Sequence, residues 1–112
     1  MKIPNAELAV VDLRKLTEYC LSATHAVGRH KARLFRSALG ITSADAETLR
    51  GWLLDAVVFE EASLDRIDEF GERYGLDFEA TTATGSAIIR SGWILRAGED
   101  FPRLTTCFVL TL

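Results

Sequence analysis

Most of the side chains in this sequence that could carry out chemistry lie in one twelve-residue segment, residues 25–36. The segment holds two histidines, one lysine and three arginines, in a chain whose formal net charge is −3. Histidine is the common acid–base group near neutral pH, and arginine and lysine are the side chains that bind phosphate. The segment therefore predicts an anion site, and a phosphate group is the anion that these residue types suit best.

The apolar spacing after Gly28 predicts a helix that ends at Gly40. The first turn of this helix then carries Arg29, His30 and Lys31. Cations are disfavoured there by a few tenths to about 1 kcal/mol, because free N–H groups and the helix dipole already make that end positive. A chain that accepts this cost can be building an anion site.

Each of these cations also has an interpretation that needs no ligand. His25 can be a loop residue that bonds to the backbone, and His30 can be a helix-end residue packed against a sheet. Arg29, Arg33 and Arg36 fall at i, i+4 and i+7, so they form one helical stripe, which is typical of a solvated face. The sequence leaves both interpretations open.

Several catalytic classes lack their signature in this chain. There is no G-x-S-x-G elbow, no P-loop and no G-x-G-x-x-G. His25 and His30 are five residues apart, which is not the spacing of a helical metal pair, and no third histidine or paired cysteine is near. We therefore predict no cofactor and no metal. The remaining chemistry is metal-free phosphodiester cleavage, because RNA supplies its own 2′-hydroxyl nucleophile and needs only a base, an acid and a cationic clamp.

Length and composition predict one domain, residues 1–112, with a substantial core, since 48% of the residues are apolar. The charge is unevenly distributed. Residues 1–40 carry seven Lys or Arg against three Asp or Glu, a balance of +4, and residues 41–112 carry six against thirteen, a balance of −7. This argues against non-specific DNA packaging. A basic stripe on an acidic body suits a defined anionic ligand, a self-docking surface or an acidic protein partner.

The cysteines and the N-terminal residues indicate the cellular setting. Cys20 and Cys107 form no metal-type cluster, and we interpret them as reduced core residues, with a single disulfide as the alternative. The N-terminus has no apolar run of signal-peptide length, and no segment approaches the roughly 18 apolar residues of a membrane span. We expect a cytoplasmic protein.

The hydrophobic periodicity predicts an α+β fold, with three helices followed by an antiparallel four-stranded meander. The helices run from Asp12 to about residue 21, from Gly28 to Gly40, and from Thr42 or Ser43 to about residue 58. A weak strand covers residues 61–69, and clearer strands cover residues 72–81, 87–97 and 103–110. Because the connections are short and the helices precede the strands, we expect the helices to pack on one sheet face.

The two-residue period assigns a face to each strand residue. We expect the core face to pack Ile89, Trp93, Leu104 and Phe108 against the helical residues Leu16, Phe35, Leu49 and Leu53. The opposite, open face then displays Arg73, Asp77, Glu79, Arg90, Arg96, Arg103 and Thr105. These arginines could hold a phosphodiester, or they could form solvated cross-strand ion pairs. A one-residue bulge would exchange the faces.

Three stretches resemble a known family: IPNAE with VDLRKL near the N-terminus, HAVGRHKARLF, and WILRAGEDFPRLTT. They are similar to an uncharacterised family of small bacterial domains, found alone or at the C-terminal ends of toxin-like and phage-head-like proteins. At the level of fold, the element order resembles the barnase-like, colicin-like and RelE-like ribonuclease toxins. The resemblance implies a ribonuclease-like activity, with fold-level analogy as its only basis.

The family motif H-x-x-G-x-x-K-A falls on His25, Gly28, Lys31 and Ala32, and its P-x-L-x-T ending falls on Pro102, Leu104 and Thr106. Many relatives have tyrosine where this chain has Phe108. If that hydroxyl is catalytic, this copy would be impaired. Because Phe108 falls on the predicted core face, we assign it a packing role.

The leading hypothesis is a metal-independent, RNA-cleaving, toxin-type domain. His25 would be the base or acid, Lys31 and Arg33 would contact phosphate, Arg90 would clamp the transition state, and Thr106 or Thr105 would donate a hydroxyl. Further phosphate contacts are assigned to Arg29, His30 and Arg96. The alternative is a non-catalytic binding module, such as a toxin–antitoxin, immunity or phage accessory protein, that binds an acidic partner through the same patch. A domain with no ligand is the third interpretation.

Overall fold

The computed structural model describes residues 1–110 and has the α+β fold that the sequence predicts. Helical elements come first and strands follow. In chain order the helical elements are a 3-10 turn Ala6–Leu8, helix α1 Leu13–Lys15, a π-helical turn Leu16–Cys20, helix α2 Gly28–Leu39, a 3-10 turn Ser43–Asp45 and helix α3 Ala46–Phe59. Within this part of the chain, no helix is both long enough and apolar enough to cross a membrane.

Local capping sets the ends of these helices. The Asp12 side chain accepts a hydrogen bond from the Arg14 backbone N–H at 3.0 Å, where α1 begins. Helix α2 ends at Gly40, whose φ of 69° is a left-handed conformation that glycine adopts without a side-chain clash. Thr42 and Asp45 form a capping box before α3. The predicted helix starts and the predicted stop at Gly40 are therefore confirmed.

The strands form an antiparallel meander in the order β1-β2-β3-β4. They are β1 Ser63–Asp68, β2 Gly71–Thr81, β3 Ser86–Arg96 and β4 Pro102–Val109. Strands β1 and β4 lie at the two edges of this sheet. Val10 forms a single parallel bridge to Arg103, so the N-terminal segment touches the outer side of β4.

The core lies between the helices and one face of the sheet. Trp93 is 1% exposed, and its indole N–H donates to the Ser91 hydroxyl at 2.9 Å, which satisfies the buried polar group. Of the residues assigned to this face, the following are buried as predicted: Leu16, Phe35, Leu49, Leu53, Ile89, Trp93 and Leu104.

A bulge in β4 changes the face assignments after Leu104. Leu104 lies opposite Trp93 and Thr106 lies opposite Gly92, so Thr105 is the additional residue. The prediction for Phe108 is therefore wrong. Phe108 lies opposite Arg90 on the open face, and it is Cys107 and Val109, both buried, that face the core.

Candidate functional site

An open cleft of about 720 Å³ lies where α2, the π-helical turn and β4 meet. We call it the lysine cleft. Its lining residues are Asp12, Arg14, Lys15, Glu18, Tyr19, His25, Lys31, Thr105 and Thr106. Three of the four predicted catalytic residues, His25, Lys31 and Thr106, are thus brought together from three different parts of the chain.

Lys31 is at the centre of the lysine cleft. Its Nζ donates to the Tyr19 hydroxyl and to the Thr106 Oγ1, both at 2.9 Å. It also lies 4.7 Å from the centre of the Tyr19 ring and 5.4 Å from that of Phe108. Among residues 1–110, no carboxylate lies within the 4.0 Å of an ion pair with Lys31. An ammonium has three donors, so these two bonds leave one for a ligand.

The bulge in β4 supplies the hydroxyl that Lys31 contacts. Because Thr105 is the additional residue, Thr106 takes the open-face position opposite Gly92, away from the core. A Cβ atom at Gly92 would come within 2.9 Å of the Thr105 Oγ1, so a glycine leaves room for the bulge. The Thr105 carbonyl accepts from Lys15 Nζ at 3.3 Å, which places a second ammonium at the cleft.

His25 caps helix α2. Its Nδ1 accepts the backbone N–H groups of Val27 and Gly28, at 3.0 and 2.9 Å. A backbone N–H can only donate, so Nδ1 is unprotonated in this arrangement and the ring proton lies on Nε2. The only lone pair of the neutral ring is therefore already in use. The interpretation of His25 as a loop residue bonded to the backbone is confirmed, and the Nε2–H remains as a donor.

Tyr19 is the residue of the lysine cleft that the sequence did not assign to a site. The sequence places it on the apolar face of the first helix. Its ring meets that of His25 edge-on, with the centroids 5.0 Å apart. A Cβ atom at Gly28 would lie 2.1 Å from the Tyr19 carbonyl oxygen, so only glycine allows α2 to start this close to Tyr19. The glycine of the H-x-x-G-x-x-K-A motif is the one signal that could have pointed to this contact.

Arg90 does not line the lysine cleft. It forms a two-pronged ion pair across the strands with Asp77, at 2.8 and 2.9 Å. This guanidinium, through its hydrogen bonds, holds the pKa of the Asp77 carboxyl below its usual value. The placement of Arg90 beside His25 and Lys31 is therefore a correction to the expected site.

The other open-face arginines behave in a similar way. Arg73 pairs with Asp68 at 2.8 Å, and Arg103 pairs with Glu99 at 2.8 Å. Hydrogen bonds from these arginines lower the pKa of both carboxyls. Arg96 is exposed and lines neither the lysine cleft nor the second cleft described below. The ion-pair interpretation of this face is thus the one that the structure supports.

A second cleft, of about 380 Å³, lies on the other side of α2. We call it the arginine cleft. It is lined by Leu21, Ala23, Arg29, His30, Ala32, Arg33, Arg36, Ile41, Thr42 and Ser43. The predicted phosphate contacts Arg29, His30 and Arg33 are therefore together, but apart from Lys31. His30 is exposed, so the interpretation in which it packs against the sheet is wrong.

The two cysteines are buried, unbonded neighbours behind the lysine cleft. The Cys107 thiol, with a smaller contribution from Lys31, lowers the pKa of Cys20 to about 7, whereas Cys20 and burial raise that of Cys107. Each cysteine directly follows a residue bonded to Lys31. The charge of Lys31 is therefore felt in the core as well as in the cleft.

Comparison with known proteins yields one match. Among residues 1–110, no group of three or more His, Cys, Asp or Glu side chains is arranged to hold a metal ion. A family described as a domain of unknown function (DUF6883) matches residues 2–111. The chain belongs to this family. Searches among curated proteins and among solved structures each found no match. The lysine cleft of this DUF6883 protein is thus the basis for its function.

Proposed function

We propose that this DUF6883 protein binds RNA in the lysine cleft and cleaves it without a metal ion, by attack of the substrate's own 2′-hydroxyl. The observation that carries the proposal is the environment of Lys31. Its ammonium is half-buried, is bonded to two hydroxyls rather than to a carboxylate, and has a donor to spare. A phosphodiester oxygen is the natural partner for that donor.

The neighbouring donors suit a phosphate group. The Thr106 hydroxyl accepts from Lys31, so its own proton is free for a phosphoryl oxygen. The Nε2–H of His25 and the Lys15 ammonium add two more donors around the same cleft. In this proposal Lys31 stabilises the charge of the transition state, the role that the sequence assigned to Arg90. Donors fixed before the reaction are worth roughly 10²–10³ in rate each.

Tyr19 supplies the acid in this mechanism. The 2′-oxygen forms a bond to phosphorus while its proton passes to water, and the 5′-oxygen departs with the proton of the Tyr19 hydroxyl. Lys31, 2.9 Å away, stabilises the phenolate until water reprotonates it. The products are a 2′,3′-cyclic phosphate and a 5′-hydroxyl. DNA lacks the nucleophile and is not cut.

The experiment compares Tyr19→Phe with Tyr74→Phe, because the chain has only these two tyrosines. Purified protein is mixed with RNA in a chelator. We expect Tyr19→Phe to lose about 10²–10⁴ in rate, the usual share of one acid–base group, and Tyr74→Phe to be unaffected. A uridine 3′-(4-nitrophenyl phosphate), whose leaving group needs no proton, should restore Tyr19→Phe to within about tenfold of wild type. If purified wild type cuts no RNA, cleavage is ruled out.

A second candidate is a binding module for an acidic protein, such as an antitoxin or immunity protein. Two contacts favour it: His25 is engaged as a helix cap, and Arg90 is engaged with Asp77. A poly-glutamate peptide tests it. Binding of this peptide by wild type but not by Lys31→Met, with no cleavage of RNA, would support this candidate over the first.

A further inference from the structure

The arginine cleft is a cationic site without a carboxylate. Among residues 1–110, Arg29, Arg33 and Arg36 form no ion pair, whereas every arginine that pairs on the open sheet face has an acidic partner within 4.0 Å. The floor of the cleft is apolar and the hydroxyls of Thr42 and Ser43 lie at its rim. Three unpaired guanidinium groups over one cavity are suited to a ligand with several negative charges.

The two clefts lie on opposite sides of one helix. Lys31 is two residues from both Arg29 and Arg33, which is about 200° around the helix axis. Segment 19–25 runs between the clefts and contributes to both. Tyr19 and His25 line the lysine cleft, and Leu21 and Ala23 line the arginine cleft. A ligand can therefore pass from one cleft to the other around the start of α2.

We infer that the substrate is single-stranded RNA several nucleotides long, bound in both clefts, with the arginine cleft holding phosphates beyond the scissile bond. This inference rests on the proposed RNA binding of the lysine cleft. A helix with its side chains is about 10–12 Å wide, so one nucleotide cannot reach both clefts. A duplex is too wide to turn around the end of one helix, whereas a single strand can bend there.

The described part of the arginine cleft lacks an aromatic side chain on which a base could stack. Recognition there must then be of the backbone, through the charge of successive phosphates. The cleft should add affinity and length dependence, without sequence preference. It should also leave cleavage of a dinucleotide unchanged, because a dinucleotide fills only the lysine cleft.

The test measures binding of fluorescent 2′-O-methyl oligonucleotides, which cannot be cleaved, by anisotropy over a range of salt concentrations. Wild type is compared with Arg33→Ala/Arg36→Ala and with the control Lys2→Ala/Arg66→Ala, which removes the same charge far from both clefts. For a twelve-nucleotide strand, we expect Arg33→Ala/Arg36→Ala to reduce the slope of log affinity against log salt by about 0.7 for each phosphate that no longer meets an arginine. For a dinucleotide, and for the control, we expect no change.

The outcomes separate this inference from the proposed cleavage. If wild type cleaves RNA but the two double variants bind the long strand equally, the arginine cleft is not a substrate site. If wild type binds the long strand through these arginines and cuts nothing, the RNA site remains and the cleavage proposal fails. If poly-glutamate binds through Arg33 and Arg36 and RNA does not, the inference is overturned in favour of a protein partner.

Discussion

The Lys31 ammonium and the Tyr19 hydroxyl lie 2.9 Å apart, and no carboxylate of residues 1–110 forms an ion pair with that ammonium. This relationship couples a cation to a group that can give up a proton. Tyr19 and Lys31 come from different helical elements, twelve residues apart, and Thr106 of β4 holds the ammonium from the other side. The arrangement therefore depends on the packing of three elements.

We expect Lys31→Met to lose roughly 10²–10³ in the rate of RNA cleavage, because it removes the charge that faces the phosphate while keeping the length of the side chain. Lys2→Met, at an exposed position near the N-terminus, is the matched control and should keep its rate. Rates are measured with the 4-nitrophenyl ester and with RNA. Equal rates for the two variants would remove Lys31 from the mechanism.

His25→Ala and His25→Asn distinguish a cap from an acid–base group. Loss of the cap in His25→Ala should destabilise the fold by about 0.5–2 kcal/mol, whereas asparagine offers an acceptor in its place and should restore stability. We expect His25→Asn to cleave RNA within about tenfold of wild type, because the change removes one hydrogen-bond donor and no proton transfer. A loss of 10²–10⁴ in a stable His25→Asn variant would instead assign proton transfer to His25.

Gly28→Ala should destabilise the protein by about 1–3 kcal/mol, because the new Cβ would overlap the Tyr19 carbonyl and force α2 away from it. Gly51→Ala is the control. Gly51 lies in α3 with open space around it, so alanine there should stabilise by about 0.5–1 kcal/mol. Urea unfolding measures both. Unchanged stability in Gly28→Ala would show that the contact with Tyr19 is loose.

Phe35→Ala should cost about 3–5 kcal/mol of unfolding free energy, because Phe35 is fully buried beneath α2. Phe59 is 75% exposed at the end of α3, so Phe59→Ala should change stability by no more than about 0.5 kcal/mol. Urea denaturation gives both values. Similar effects at the two positions would contradict the packing of α2 on the sheet.

Burial and the nearby Glu72 carboxylate raise the pKa of Tyr74 to about 12 from an ordinary value of 10.0. Its hydroxyl donates to Glu72 at 2.6 Å. Below pH 10 the tyrosine is protonated whether folded or unfolded. As the pH rises from 10 towards 12, only the unfolded chain ionises, so stability is lost. Ultraviolet titration and unfolding curves should show this, and Tyr74→Phe should remove that part of the loss.

The helices were predictable because their signals are local. Gly28, Gly40 and the Thr42–Asp45 box mark helix ends through the conformations that those residues adopt by themselves. The faces of β2 and β3 were also predictable, since Tyr74 and Trp93 follow an uninterrupted two-residue period into the core. In these elements, neighbouring residues alone determine the structure.

The site was only partly predictable because its contacts are not local. Two adjacent threonines carry no mark of a bulge, so the exchange of Cys107 and Phe108 between faces depends on backbone pairing with β3. The partner of Arg90 is set by cross-strand register. The contact of Tyr19 with Lys31 requires the approach at Gly28, which is visible only when both helical elements are in place.

Strand β4 has one residue more than the ladder opposite it can match, and this slack lies at the cleft. Before Thr105 the even-numbered positions belong to the core, and after it the odd-numbered ones do. Mutation can therefore alter Thr106 or Phe108 without touching the packed interior, and alter Cys107 or Val109 without touching the cleft. The family can vary the chemistry of this surface while the fold beneath it stays the same.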